Sequence, residues 1–254
     1  MPNEVKADLN PAHELPQGEH QESLPKPKRH RLRWTLVTLV VVLIILPLLA
    51  LGYSGVWHIP GLTQLFGSDK PIDLGVHPTE ADLASALADN PMMIEAEPGT
   101  FYWSQNKSFA GQVAIDDEHS SEEVTAFIQH YHGDGRFVRD IQVRFREGGM
   151  EISAFVSPYI KAPVYVDVDV TRTGTQSVSL NLQKAKVGRL TVPEKYYNQI
   201  EEAAQDVLNR EIAAVPGFRI DDLQYTDNAA YLLGSLPAMV TPLGGEQELS
   251  EFIN

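Results

Sequence analysis

The densest group of side chains able to do chemistry is His130, His132 and Asp134 in the run QHYHGDG, with His119, Asp116, Asp117 and Glu118 upstream. Two imidazoles at His-x-His spacing and a nearby carboxylate are donor types for zinc, which needs three or four of them to converge. The same residues also read as a helix end, with histidines beside the last carbonyls and glycines that stop the turn. Asp116, Asp117 and Glu118 precede a predicted helix start, where negative charge favours the dipole, and no calcium-loop pattern accompanies them. The structural readings are preferred, and no metal ligand is assigned.

Hydrolase chemistry fares no better. A serine nucleophile needs a sharp turn and a base, yet no Gly-x-Ser-x-Gly occurs, and Gly234-Ser235 closes a predicted strand. The carboxylate pairs Asp167/Asp169 and Asp221/Asp222 read as solvated surface in an acidic chain. Phosphate-cradling glycine loops are absent. With no cysteine there is no thiolate catalysis, disulfide framework or cysteine-ligated metal. No catalytic or cofactor-binding residue is assigned, and a non-enzymatic protein without a cofactor is expected.

One stretch stands apart from the rest of the chain. Residues 35–52 read TLVTLVVVLIILPLLALG, without a charge. At helical rise these residues span about 27 Å, close to the hydrocarbon thickness of a bilayer. Pro47 is tolerable in such a helix, and Trp34, Tyr53 and Trp57 suit the two interfaces. Lys26, Lys28, Arg29, Arg31 and Arg33 precede it, which predicts a cytoplasmic N-terminus and an outer C-terminal domain. A long leader and the lack of a small-x-small cleavage site favour an uncleaved, single-pass anchor over a signal peptide.

The expected organisation is a disordered cytoplasmic tail at 1–33, a membrane helix at 34–54, a linker at 55–70 and an extracytoplasmic domain at 71–254. The tail holds 6 basic and 5 acidic residues, which leaves 14 basic and 29 acidic, a net charge of -15, for the outer part. That sign argues against nucleic acid as a partner and against broad adhesion to anionic headgroups, and it leaves room for a local basic patch.

The elements that must position any site follow from period and punctuation. Helices are expected at 79–88 and 121–131, opened by the capping boxes Thr79/Asp82 and Ser120/Glu123. Phe101-Tyr102-Trp103 and 112–115 predict two strands around a turn near Asn106. Strands are expected at 137–145 and 150–156 around Glu147-Gly148-Gly149, and at 164–171 and 177–182. In the strand at 164–171, Val164, Val166, Val168 and Val170 face one way and Tyr165, Asp167 and Asp169 the other, which predicts one buried and one wet face. A third helix at 193–214 opens with Thr191/Glu194 and carries the apolar stripe Tyr196, Ile200, Ala203, Val207, Leu208 and Ile212. A hairpin at 218–225 and 230–236 turns over Asp227-Asn228.

Residues 120–158 and 191–237 repeat one order: capped helix, strand, tight turn, strand. FVRDIQVRF matches FRIDDLQYT, and both blocks end in a Ser-Pro-like turn. Duplication and convergence on a common unit both fit. Either way the fold class is α+β, with curved antiparallel sheet on amphipathic helices.

The run SVSLNLQKAKVGRLTVPEKYYNQI resembles the YpmS-like family of membrane-anchored extracytoplasmic proteins, through Val187-Gly188-Arg189-Leu190 and the helix opening Val192-Pro193. The final helix, Pro-Gly, hairpin and Gly-Ser-Leu-Pro are similar to LmeA-type envelope proteins. The likeness implies a relation to tubular lipid-binding domains, in which sheet wraps a long helix. It covers about the last third of the chain and transfers no functional residue. On it rests the expectation of a lipid or acyl chain held between sheet and helix, with Tyr196, Ile200, Ala203, Val207 and Ile212 lining the groove. The competing expectation is a solid-cored envelope protein that engages another protein or a wall polymer.

Overall fold

The structure, a computed structural model, describes residues 42, 44–56, 63–64, 68–101, 105–132, 138–157 and 161–246. The chain divides into Met1–Ile44 and Ile45–Asn254, and the description below concerns the second unit. Among the described residues no helix is long and apolar enough to cross a membrane. The expected span at 34–54 lies partly outside them; its described part forms helix α1, residues 44–54. The tail at 1–33 and much of the linker at 55–70, including most of a short helix expected at 62–66, also lie outside.

Among the described residues, three further α-helices and eleven strands follow. The helices are α2 (Glu80–Asp89), α3 (Ser121–His132) and α4 (Tyr197–Ala214). The first five strands are β1 (Met93–Ile94), β2 (Gln105–Ala110), β3 (Val113–Ser120), β4 (Val138–Arg146) and β5 (Gly149–Val156). The others are β6 (Ala162–Gly174), β7 (Ser177–Val187), β8 (Leu190–Thr191), β9 (Arg219–Thr226), β10 (Ala229–Leu236) and β11 (Met239–Glu246). They form three sheets, ordered β1-β11-β2, β3-β10-β9 and β4-β5-β6-β7-β8, with every pairing antiparallel except β1 with β11. The class is α+β, as the patterning predicts.

The two smaller sheets are one bent ribbon. β10 pairs with β3 and β11 continues against β2, so a single antiparallel pair runs through both. The bend falls at Gly111, whose φ of +67° places it opposite Ala238. Asn106 therefore lies inside β2, and the turn expected there sits at Gly111-Gln112 instead. Phe101 is buried outside any strand, while 102–104 lie outside the described residues. Asp116, Asp117 and Glu118 belong to β3, not to a loop before the helix.

The valine alternation of β6 is observed. Val166, Val168 and Val170 pack with Val178, Ile220, Leu223 and Leu232 between the large sheet and the β9–β10 hairpin. Burial of such aliphatic side chains is the main stabilising term, about 1.5–3 kcal/mol for each one fully covered. The opposite face is not simply wet, because Tyr165 is buried there under Ile72, Leu74 and Val76. A third cluster, Ile94, Phe101 and Val240, sits under Phe127 and Tyr131 of α3.

Both N-terminal capping boxes form. Thr79 and Asp82 exchange bonds at α2, and Ser120 and Glu123 do so at α3. The third does not. Val192 N–H donates to Ala185 O at 2.9 Å, which draws Thr191 into β8. Pro193 then starts a 3-10 turn, Glu194–Tyr196, without any side-chain cap. The two similar blocks are also packed differently: β4 and β5 lie together in the large sheet, whereas β9 and β10 belong to the ribbon.

Candidate functional site

The large sheet is open along β4 and, beyond the two residues paired with the short β8, along β7, and a helix closes each of these edges with side-chain hydrogen bonds. At β4, Thr125 Oγ1 accepts from Val143 N at 3.0 Å and donates back to Val143 O at 3.2 Å. One turn earlier Ser121 Oγ accepts from Phe145 N at 2.8 Å, and one turn later Gln129 Nε2 donates to Ile141 O at 2.7 Å. Residues four apart stack on one helix face, and every second strand residue presents its backbone to one edge, so the two periods mesh.

At β7 the same device is built from longer side chains. Tyr197, Glu201, Gln205 and Asn209 accept from the amides of Ala185, Leu182, Leu180 and Val178 at 3.4, 2.6, 3.0 and 2.9 Å. Asn209 also returns a bond to Val178 O at 3.0 Å. The register of β7 against β6 shifts between Leu182 and Lys184, which is why the outward amides change from even to odd numbers there. These polar rows had no counterpart in the sequence reading. Their signal was present, as side chains able to bond backbone at every fourth position of a helix.

The apolar stripe on α4 splits accordingly. At 3.6 residues per turn, Tyr196, Ile200, Ala203 and Val207 centre about 150° around the axis from the polar row. Ile212 falls on the polar side and packs against the core of Val168, Val170, Val178 and Ile220. No residue of α4 is fully buried; Tyr196 is 45% exposed, Ile200 38% and Leu208 39%, and Ala203 is exposed as well. The four outer residues are therefore not enclosed between helix and sheet. Tyr196, Ile200 and Ala203 form an open apolar row that ends in the half-buried Val207, and Leu190 of β8 is exposed as well.

The end of α1 is held just before Leu190. Arg189 N–H donates to Ser54 O at 2.7 Å, and Ser68 Oγ donates to Gly52 O at 2.6 Å. The Arg189 guanidinium lies 4.6 Å over the Tyr53 ring. Gly188 makes this seat possible: its φ is +60°, and a Cβ there would collide with Ser54 O and Gly55. The Val187-Gly188-Arg189-Leu190 run is thus the socket for the end of α1.

On the other face of the sheet the charges are paired. Arg146 Nε bonds Asp167 Oδ1 at 2.8 Å, and its NH2 nitrogen bonds Asp169 Oδ1 at 2.7 Å. The pair at 167 and 169 is thus a cross-strand ion network, half-buried, where solvated surface was expected. Arg144 pairs with Glu151, which accepts from Tyr165 Oη at 2.5 Å. Burial, followed by that bond and the charge of Glu151, pushes the Tyr165 phenol well above its ordinary range.

Among the described residues no three of His, Asp and Glu are gathered to hold a metal ion. His119, Asp116, Asp117 and Glu118 line β3, His130 and His132 end α3, and Asp134 lies outside the described residues. Asp116 accepts from Tyr231 Oη at 2.7 Å. Asp221 pairs with Arg219, and Asp222 bonds Gln224. Ser235 Oγ donates to Gly217 O at 2.8 Å and accepts from Gln112, a structural role at the end of β10. No protein family matches the chain, and no curated protein or solved structure matches it.

Proposed function

We propose that the chain is a non-enzymatic lipid-binding module of the YpmS-like kind, held at the outer face of a membrane by one helix and accommodating an acyl chain along α4. The observation that carries this reading is the coincidence of two features at one place. The helix that continues the apolar stretch of 35–52 ends in the Gly188 socket, and from that socket the chain runs through the exposed Leu190 into the exposed Tyr196, Ile200 and Ala203. Leu46, Leu48, Leu49 and Leu51 of α1 are all exposed, as a lipid-embedded segment requires. An acyl chain leaving the bilayer at the socket meets α4 directly. The same openness favours one competing reading, an envelope protein partner that covers the row.

Reconstitution of the full chain with a photoactivatable fatty-acyl lipid separates these. Crosslinks concentrated on α4, and reduced severalfold by Ile200→Asp, support the acyl chain. Labelling confined to α1 sinks it and shifts the weight to a protein partner.

A further inference from the structure

We infer that α1 meets the outer domain in a rigid joint, which holds the domain in one orientation on the bilayer. A linker at 55–70 predicts the opposite, a domain that swings on a tether whose reach grows with its length. The structure brings the two ends of that stretch together. Ser68 Oγ donates to Gly52 O at 2.6 Å, and a Cβ on Gly55 would collide with Ser68 O. The domain therefore starts where the helix stops, and the residues between add no reach.

The helix end is sealed as well as met. The last carbonyls of a helix have no partner within it. Here Leu51 O accepts from Ser54 Oγ at 2.7 Å, Gly52 O from Ser68 Oγ, and Ser54 O from Arg189 N–H at 2.7 Å. Ser54 and Ser68 are 7% and 3% exposed, and Gly52 and Gly55 are buried too. Two consecutive amides of the β7–β8 turn fix the helix to the sheet. Gly188 N–H donates to Pro163 O of β6 at 2.7 Å, and Arg189 N–H is the donor to Ser54 O. Close-packed contacts of this kind hold one arrangement and do not deform continuously. The same turn leads into α4, because Val192 N–H donates to Ala185 O at 2.9 Å and keeps β8 on β7. A tilt of α1 is thus passed through backbone bonds toward the start of α4. The inference rests on the membrane-anchor reading of 34–54 and adds that the anchor fixes how α4 stands above the bilayer.

The test places the full chain in lipid nanodiscs with one fluorophore on Asp227→Cys, at the exposed β9–β10 turn of a chain that has no other cysteine. Time-resolved anisotropy then reads whether the domain turns with the disc or on its own. Turning with the disc is expected. Gly188→Val, whose side chain collides with Ser54 O and Gly55, should shorten the slow correlation time severalfold. Ser68→Ala removes the bond to Gly52 without straining the backbone and should shorten it by a smaller factor. Gly148→Ala strains a turn elsewhere, at a φ of +79° with open space around it, and should change nothing. Should circular dichroism show that Gly188→Val unfolds the domain, Ser68→Ala alone decides. A domain that turns severalfold faster than the disc with the joint intact overturns the joint and leaves the anchor standing. So does a slow domain that neither variant frees. A chain that fails to enter the discs overturns the anchor reading and the joint with it.

Discussion

The two edges of the large sheet solve one problem with side chains of different length. At β4, Ser121 and Thr125 reach the strand with a single hydroxyl, so α3 lies close and both residues are fully buried. At β7, Tyr197, Glu201, Gln205 and Asn209 bridge with longer arms, and α4 stands off with no buried residue. Both rows satisfy edge groups that would otherwise template another strand. The difference shows in the neighbours. On α3, Ala126 is core and Phe127 and Tyr131 pack on the cluster of Ile94, Phe101 and Val240, whereas Ile200 and Ala203 of α4, with Tyr196 before it, lie on the face turned from the sheet and stay in solvent.

The sharpest way to break this comparison is Thr125→Val. The shape is kept, but the Val143 N–H and C=O lose their partner in a buried site, a cost of about 2–3 kcal/mol in urea unfolding. A change below about 0.5 kcal/mol would mean that the α3 row is not what seals β4. Gln205→Ala should cost less, about 0.5–1 kcal/mol, because water reaches the Leu180 amide. Its signature is local: faster hydrogen exchange at Val178, Leu180 and Leu182, with β4 unaffected.

A smaller effect comes from the unequal helix starts. Burial works against the Glu123 carboxylate, but bonds from Ser85 Oγ and from the Ser120 amide and hydroxyl hold it below its ordinary 4.5. Since the folded-state value is the depressed one, its stabilisation is present above 4.5 and is lost as pH falls through the folded value. Glu123→Gln should flatten the loss of stability on that acid limb, as followed by denaturation at stepped pH. α4 has no side-chain cap to titrate, so Glu194→Gln should leave the limb unchanged. Smallest in stability is Ile200→Asp, expected within about 0.5 kcal/mol of wild type because the site is open. A large loss would show that the row is core after all.

Much of this fold was legible because local chemistry and tertiary outcome agree. Thr79/Asp82 and Ser120/Glu123 cap helices by bonds within four residues, and Asn228 turns its hairpin at a φ of +70°. The β6 valines alternate because one face meets the core. Elsewhere distant contacts overruled the local signal. Thr191 was lost as a cap because Ala185 holds the next residue in the sheet. No strand was expected over β11, whose run carries Pro242 and Gly244-Gly245, yet β1 and β2 flank it on both sides. The face of Asp167 and Asp169 became an ion network only when β4 brought Arg146 across β5.

By itself, then, the sequence determined the α+β class, two of the three expected caps, the alternating strands and the apolar stretch with its basic flank, because each depends on neighbours a few residues away. Only the tertiary structure decided which face of α4 meets the sheet and that Gly188 seats the end of α1. Those outcomes are set by partners tens to more than a hundred positions distant, and no periodicity within one segment encodes them.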